Sequence, residues 1–111
     1  MVKYETYEIG NNVVIIDTEE HDFWVLMKIV SKNNKSFFGY NIDYGFRLCD
    51  KDNECLYNDE TRVVRLANYD ESHWLEKCIN EKRYIPNSFL ESSILSWKKK
   101  QKTSLKNLIE L

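Results

Sequence analysis

The sequence predicts an α+β fold: a curled antiparallel sheet or small SH3-like barrel of five to six strands, followed by two or three C-terminal helices. Three observations carry this expectation. Apolar and polar residues alternate with period two through residues 1–67. From Asp70 onward the apolar residues recur at helical spacing instead. The segments between the strands are too short for crossover helices, so sequential strands must run antiparallel. The 111 residues suit one domain with a single core, β-rich over 1–67 and helical over 70–111.

The elements follow in order. "YETYEI" (Tyr4–Ile9) alternates and reads as a first strand, and "GNN" after it reads as a turn. "VVIID" (Val13–Asp17) is a short apolar strand suited to burial on both faces. "FWVLMKIVS" (Phe23–Ser31) is β-branched and aromatic, which predicts a central strand with Lys28 toward solvent. "KNNK" (Lys32–Lys35) reads as a hairpin turn, because Asn tolerates the left-handed backbone of tight turns. Alternation then runs for twelve residues, with Phe38, Tyr40, Ile42, Tyr44, Phe46 and Leu48 on one parity. This predicts one long strand, bent at Gly45. "DKDNE" (Asp50–Glu54) reads as a second hairpin turn that brings Cys49 and Cys55 together, and "TRVVRLA" as a last strand with Val64 and Leu66 inward.

In the helical part, Asp70 is the expected N-cap, with Trp74, Leu75, Cys78 and Ile79 on one face. Pro86 ends that unit. Ser88 and Glu91 have the spacing of a capping box. The helix that follows carries Leu90, Ile94 and Trp97 on one stripe, continuing through Gln101 to Leu105 and Leu108. Thr103 and Ser104 leave open whether 88–111 is one helix or two.

Composition bounds the function. With 42% apolar and 31% charged residues the chain is globular, and fifteen aromatics give relatively few core positions a large apolar area. "MVKYETYEIGNN" lacks the apolar stretch of a signal peptide, and the longest apolar runs are too short to cross a bilayer. Three cysteines cannot all pair within one chain, which points to reduced thiols and a cytoplasmic protein. Abundant Asn, Lys, Ile and Tyr point to an AT-rich coding sequence, as in low-GC bacteria, their phages and plasmids.

Catalytic and metal motifs are weak. Gly10, Gly39 and Gly45 stand far apart, so no phosphate loop forms. His73 and Cys78 lie roughly 140° apart around one helix and do not face each other. His73 and Glu76, at i and i+3, are the one pairing on which a hydrolase-like reading can rest. Asp50, Asp52 and Glu54 begin like a calcium loop, but Cys55 stands at the sixth place and Thr61 at the twelfth, where Gly and Glu are needed. The expectation is a non-enzymatic protein with no cofactor and no metal.

Charge geography decides among partners. Residues 95–111 carry five lysines against one glutamate, while residues 1–94 carry eleven basic against seventeen acidic side chains. The sequence therefore predicts a protein-binding module. Asp17, Glu19, Glu20, Asp22, Asp50, Asp52 and Glu54 would face a basic surface, as in an immunity-type inhibitor from a phage or plasmid that covers a nuclease-like target. The alternative is a nucleic-acid-binding accessory protein using Lys98, Lys99, Lys100, Lys102 and Lys106. Against that, lysines flanking an apolar stripe ordinarily line the solvent side of a helix. The ending "LKNLIEL" adds a possible homodimer contact through the C-terminal helix.

Overall fold

The computed structural model describes the backbone of residues 7–110 and the side chains of residues 7–101. Five strands, β1 (Asn12–Asp17), β2 (Trp24–Lys32), β3 (Ser36–Asp43), β4 (Leu48–Leu56) and β5 (Arg62–Leu66), precede two helices, α1 (Tyr69–Glu81) and α2 (Ser88–Glu110). The sheet is antiparallel with strand order β4-β3-β2-β1-β5.

Among the described residues β4 and β5 are free edges that do not pair with each other, so the curled open sheet is found and a closed barrel is not. In a flat sheet those edges would stand roughly 19 Å apart, at about 4.8 Å per strand. Yet Arg62 Nη1 donates to the Leu56 carbonyl at 3.1 Å, joining the start of β5 to the end of β4. That contact requires the curl.

Both faces of the sheet are covered, which gives the molecule two apolar clusters. Val14, Ile16, Trp24, Leu26 and Ile42 face the helices and pack against Trp74, Leu75, Cys78, Leu90 and Ile94. Inside the curl, Val13, Ile15, Val25, Met27 and Ile29 pack with Phe37, Cys55 and Tyr57, whose ring stacks on Phe37 at 3.7 Å. β1 is buried on both sides, as its unbroken apolar run implies.

Several sequence expectations are corrected. Tyr4–Thr6 of the expected first strand lie outside the described residues. Tyr7–Ile9 form no strand; Tyr7 turns inward and its hydroxyl donates to the Val64 carbonyl at 2.8 Å. The long strand ends at Asp43. The chain reverses at Tyr44–Arg47, where Phe46 adopts φ 57°, and "DKDNE" lies within β4 rather than at a hairpin tip. Its turn chemistry is used in a bulge: Asn41 pairs with Cys49 and Gly39 with Asn53, so β4 carries two more residues than β3 over that interval. Cys49 and Cys55 are therefore far apart along one strand. Leu66 points outward and is exposed.

The helix caps differ as well. Asn68, not Asp70, caps α1, in a capping box with Glu71. Asn87 Oδ1 accepts from the Leu90 amide at 3.1 Å to start α2, while Glu91 turns away to accept from the Tyr84 hydroxyl at 2.6 Å. α2 continues unbroken past Thr103 and Ser104, so the described residues form two helices. The side chains invoked for dimerisation, Leu105 and Leu108 among them, lie outside the described ones.

Candidate functional site

The inner face of β3 changes character along its length. Phe37 is buried in the apolar cluster, Gly39 adds no side chain, and Asn41 and Asp43 follow on the same face. Asn41 and Asp43 are 0% and 4% exposed, so the curl is apolar at one end and polar at the other. At the polar end lies an open cleft of about 410 Å³, whose lining includes Glu20, Phe23, Asn41, Asp43, Glu54 and Arg62. Tyr44 and Arg47 from the β3–β4 turn form part of its mouth.

The charges around this cleft are partly neutralised within the fold. Asp43 accepts from the Gly45 amide at 3.0 Å and from Arg47 Nε at 3.2 Å. Asp17 accepts from the Glu19 and Glu20 amides at 2.8 and 2.9 Å, from Thr61 Oγ1 at 3.0 Å and from Arg62 Nε at 2.8 Å. Burial works against ionising Asp17, but those amides, Arg62 and Thr61 outweigh it and hold the carboxyl below its ordinary range. The Arg62 guanidinium also lies 3.9 Å above the centre of the Phe23 ring, and the Tyr44 ring is 6.1 Å from that of Phe23. Glu20 and Glu54 have no ion-pair partner among the described residues; Glu54 accepts only from the neutral Ser36 hydroxyl, at 2.7 Å.

The thiols are not poised as nucleophiles. Burial and the adjacent Asp43 carboxylate push Cys49 up to about 11, and burial pushes Cys55 up to about 12. Burial raises Cys78 too. A thiolate is the reactive form, so these groups are protonated at neutral pH.

The structure scatters the acidic residues singled out in the sequence. Asp17 is buried and its carboxylate is used to shape its own loop. Glu19, Glu20 and Asp22 are exposed on that loop, and Asp50 and Asp52 are exposed on the β4 bulge. Only Glu20 and Glu54, from segments 34 positions apart in the chain, arrive at the same cleft. Among the described residues no three His, Cys, Asp or Glu side chains cluster in a way that would hold a metal ion. Glu76 is engaged by Lys28 Nζ at 3.0 and 3.1 Å, while His73 stacks on Tyr69, so the His73–Glu76 pair does not form.

The lysine-rich run also divides. Lys99 and Lys100 are exposed, and the side chains of Lys102 and Lys106 lie outside the described ones. Lys98, expected on the wet side of the helix, is 7% exposed. Its ammonium donates to the carbonyls of Glu20, His21 and Phe23, each at 2.7 Å, and pins the acidic loop to α2. Substituting Lys98→Met is expected to lower stability by about 2 kcal/mol, since hydrogen bonds from a charged donor contribute roughly 1.5–3 kcal/mol and three carbonyls lose theirs. Urea denaturation checks this; an unchanged midpoint would mean the loop holds without its anchor. Nor do the arginines join the lysines in a positive surface: Arg47, Arg62 and Arg65 each pair with a carboxylate.

No protein-family model, no curated protein and no solved structure matches the chain. No helix among the described residues is long and apolar enough to cross a membrane. Asn41, Asp43, Arg47 and Arg62 did not stand out in the sequence as site residues. Their one available signal was parity: Asn41 and Asp43 alternate with Tyr40 and Ile42, which reads as an outer face until the opposite face is known to be covered too.

Proposed function

We propose that this protein is a non-catalytic protein-binding module that covers a basic surface of its target through the mouth of the β-sheet cleft. The observation that carries this reading is the convergence of Glu20 and Glu54. The neighbouring carboxylates Asp17 and Asp43 are held by Arg62 and Arg47, whereas these two keep their charge available. Uncompensated charge at a rim steers a partner of opposite sign and selects against others. Exposed aromatics, Tyr44 and Phe46, stand on the adjacent turn and supply anchors of the kind that dominate interface energies. The mechanism is occlusion, as for an immunity-type antagonist of a nuclease-like protein in the cytoplasm. The curl that brings Leu56 to Arg62 supports regarding the sheet as an opened SH3-like barrel.

Affinity capture with the Glu20→Gln/Glu54→Gln variant tests the reading. A basic protein retained by wild type is expected to bind this variant at least about tenfold more weakly, and an Asp50→Asn/Asp52→Asn variant nearly as well as wild type. Equal retention by all three would sink the cleft as the binding surface. Tight, steeply salt-dependent binding of duplex DNA, lost on Lys99→Gln/Lys100→Gln, would replace it with the nucleic-acid reading.

A further inference from the structure

Three buried side-chain polar atoms lack a hydrogen-bond partner among the described residues: Asn12 Oδ1 and both amide atoms of Asn41. Asn41 is the unusual one, because its entire amide is unmet and it lines the cleft. An unmet buried polar group costs about 1–3 kcal/mol, and a leucine at this position would remove that cost. The amide sits at the floor of a cleft that also carries the Glu20 and Glu54 carboxylates, neither of which has an ion-pair partner among the described residues.

A protein partner that meets both amide atoms must donate and accept at once. A lone cation offers donors only and leaves Asn41 Nδ2 unmet. An anion leaves Oδ1 unmet and meets Glu20, Asp43 and Glu54. An extended peptide residue presents its own N–H and C=O side by side toward one neighbour, as in the paired residues of an antiparallel ladder. That pair matches the Asn amide atom for atom. We propose that Asn41 is the floor of a subsite for one extended, basic residue of a partner protein. Nδ2 donates to that residue's carbonyl, Oδ1 accepts from its N–H, and its Lys or Arg side chain lies against Glu20 and Glu54. Tyr44 and Arg47, which line the same cleft, are exposed. This deepens the reading of the protein as a binder of basic surfaces and rests on it.

The test is an NMR titration of isotope-labelled full-length protein, following the Asn41 side-chain NH₂ signals. The probes are N-acetyl-lysine N-methylamide and its alanine counterpart. Both are expected to move those signals, the lysine probe with the higher affinity. Glu20→Gln/Glu54→Gln should bring the lysine probe down to the alanine level. Asn41→Leu should weaken both probes at least about tenfold and raise the melting temperature. Asn41 signals that stay still in wild type under the lysine probe overturn the subsite, as does an Asn41→Leu variant that melts lower or binds unchanged. If basic-protein capture depends on Glu20 and Glu54 but not on Asn41, the binding reading stands and the subsite falls. If Asn41 responds to both probes equally and the glutamates are irrelevant, the amide subsite stands and the basic-partner reading falls.

Discussion

Replacing Gly39 with alanine is expected to cost about 3 kcal/mol or more, a large share of the roughly 5–15 kcal/mol that holds a domain folded. A Cβ at Gly39 would overlap the Lys28 carbonyl oxygen outright, with the Lys28 carbonyl carbon at 2.9 Å and the Val30 nitrogen at 3.1 Å. All three obstacles are backbone, so no rotamer change relieves them. The pinch has a local cause. β2 pairs Ile29 with Gly39 and Ser31 with Phe38, leaving Val30 as an extra residue. The bulge drives the β2 backbone toward β3 where β4 bulges on the other side, and only a residue without a side chain fits between. Gly10→Ala is the proper comparison. That site has open space around it but φ +97°, so its penalty comes from backbone conformation alone, about 1 kcal/mol. Urea midpoints should fall much further for Gly39→Ala than for Gly10→Ala. Equal midpoints would show that β2 and β3 separate there at little cost, and that the double bulge does not hold the curl.

Parity reads a strand well when one face is wet, and this sheet has no wet face over most of its area. β1 and β2 were legible because a nearly continuous apolar run suits burial on both sides. The β2–β3 turn was legible from its asparagines, and the inner faces of α1 and α2 from helical spacing. The hairpin at Tyr44–Arg47 was hidden because Phe46 packs across the turn near Trp24 and Tyr84, with ring centres 6.4 and 5.9 Å away. Aromatic alternation thus continues through residues that are not strand. In the same way, turn-forming Asp and Asn residues at 50–53 serve a bulge, which composition does not distinguish from a hairpin tip. Lys98 was the more readable miss. Leu90, Ile94 and Lys98 recur every four residues, which puts this lysine on the buried stripe, while its lysine neighbours at 99 and 100 drew attention to charge alone. Asn41 carried no such cue, since a buried unmet amide is visible only once both layers over the sheet are in place.

The second large effect is expected at the ion pair that fastens β5 to α1. Glu71 is 0% exposed, and Arg65 grips it with two parallel bonds, Nη1–Oε1 at 2.7 Å and Nη2–Oε2 at 2.8 Å. The same carboxylate accepts from the Asn68 amide at 3.0 Å, completing the α1 capping box, and the Arg65 guanidinium lies 4.4 Å from the centre of the Trp97 ring. One pair thereby ties the last strand to both helices. Burial opposes ionisation of Glu71, but Arg65 and the Asn68 amide outweigh it, and the carboxyl sits below its ordinary range. Arg65→Met leaves a buried charge without its counterpart and should cost about 3–5 kcal/mol at neutral pH. Glu71→Gln should cost less, about 1–2 kcal/mol, because an amide oxygen still accepts from Asn68. The pH dependence fixes the cause. A carboxyl whose folded pKa is depressed stabilises the fold above its unfolded value, near pH 4, and that stability is lost as pH falls through the folded value. Wild type should therefore lose stability in this acid window, and Glu71→Gln should lose less. In Arg65→Met the sign reverses: burial without the guanidinium raises Glu71, so acidification relieves the variant and the gap to wild type narrows toward about pH 4. Denaturation midpoints measured from about pH 7 to about pH 2 decide the matter, the upper part of the range for Arg65→Met and the part below about pH 4 for Glu71→Gln. A gap that stays constant across that range would mean Arg65 acts by packing its stem against Trp97 rather than by neutralising Glu71.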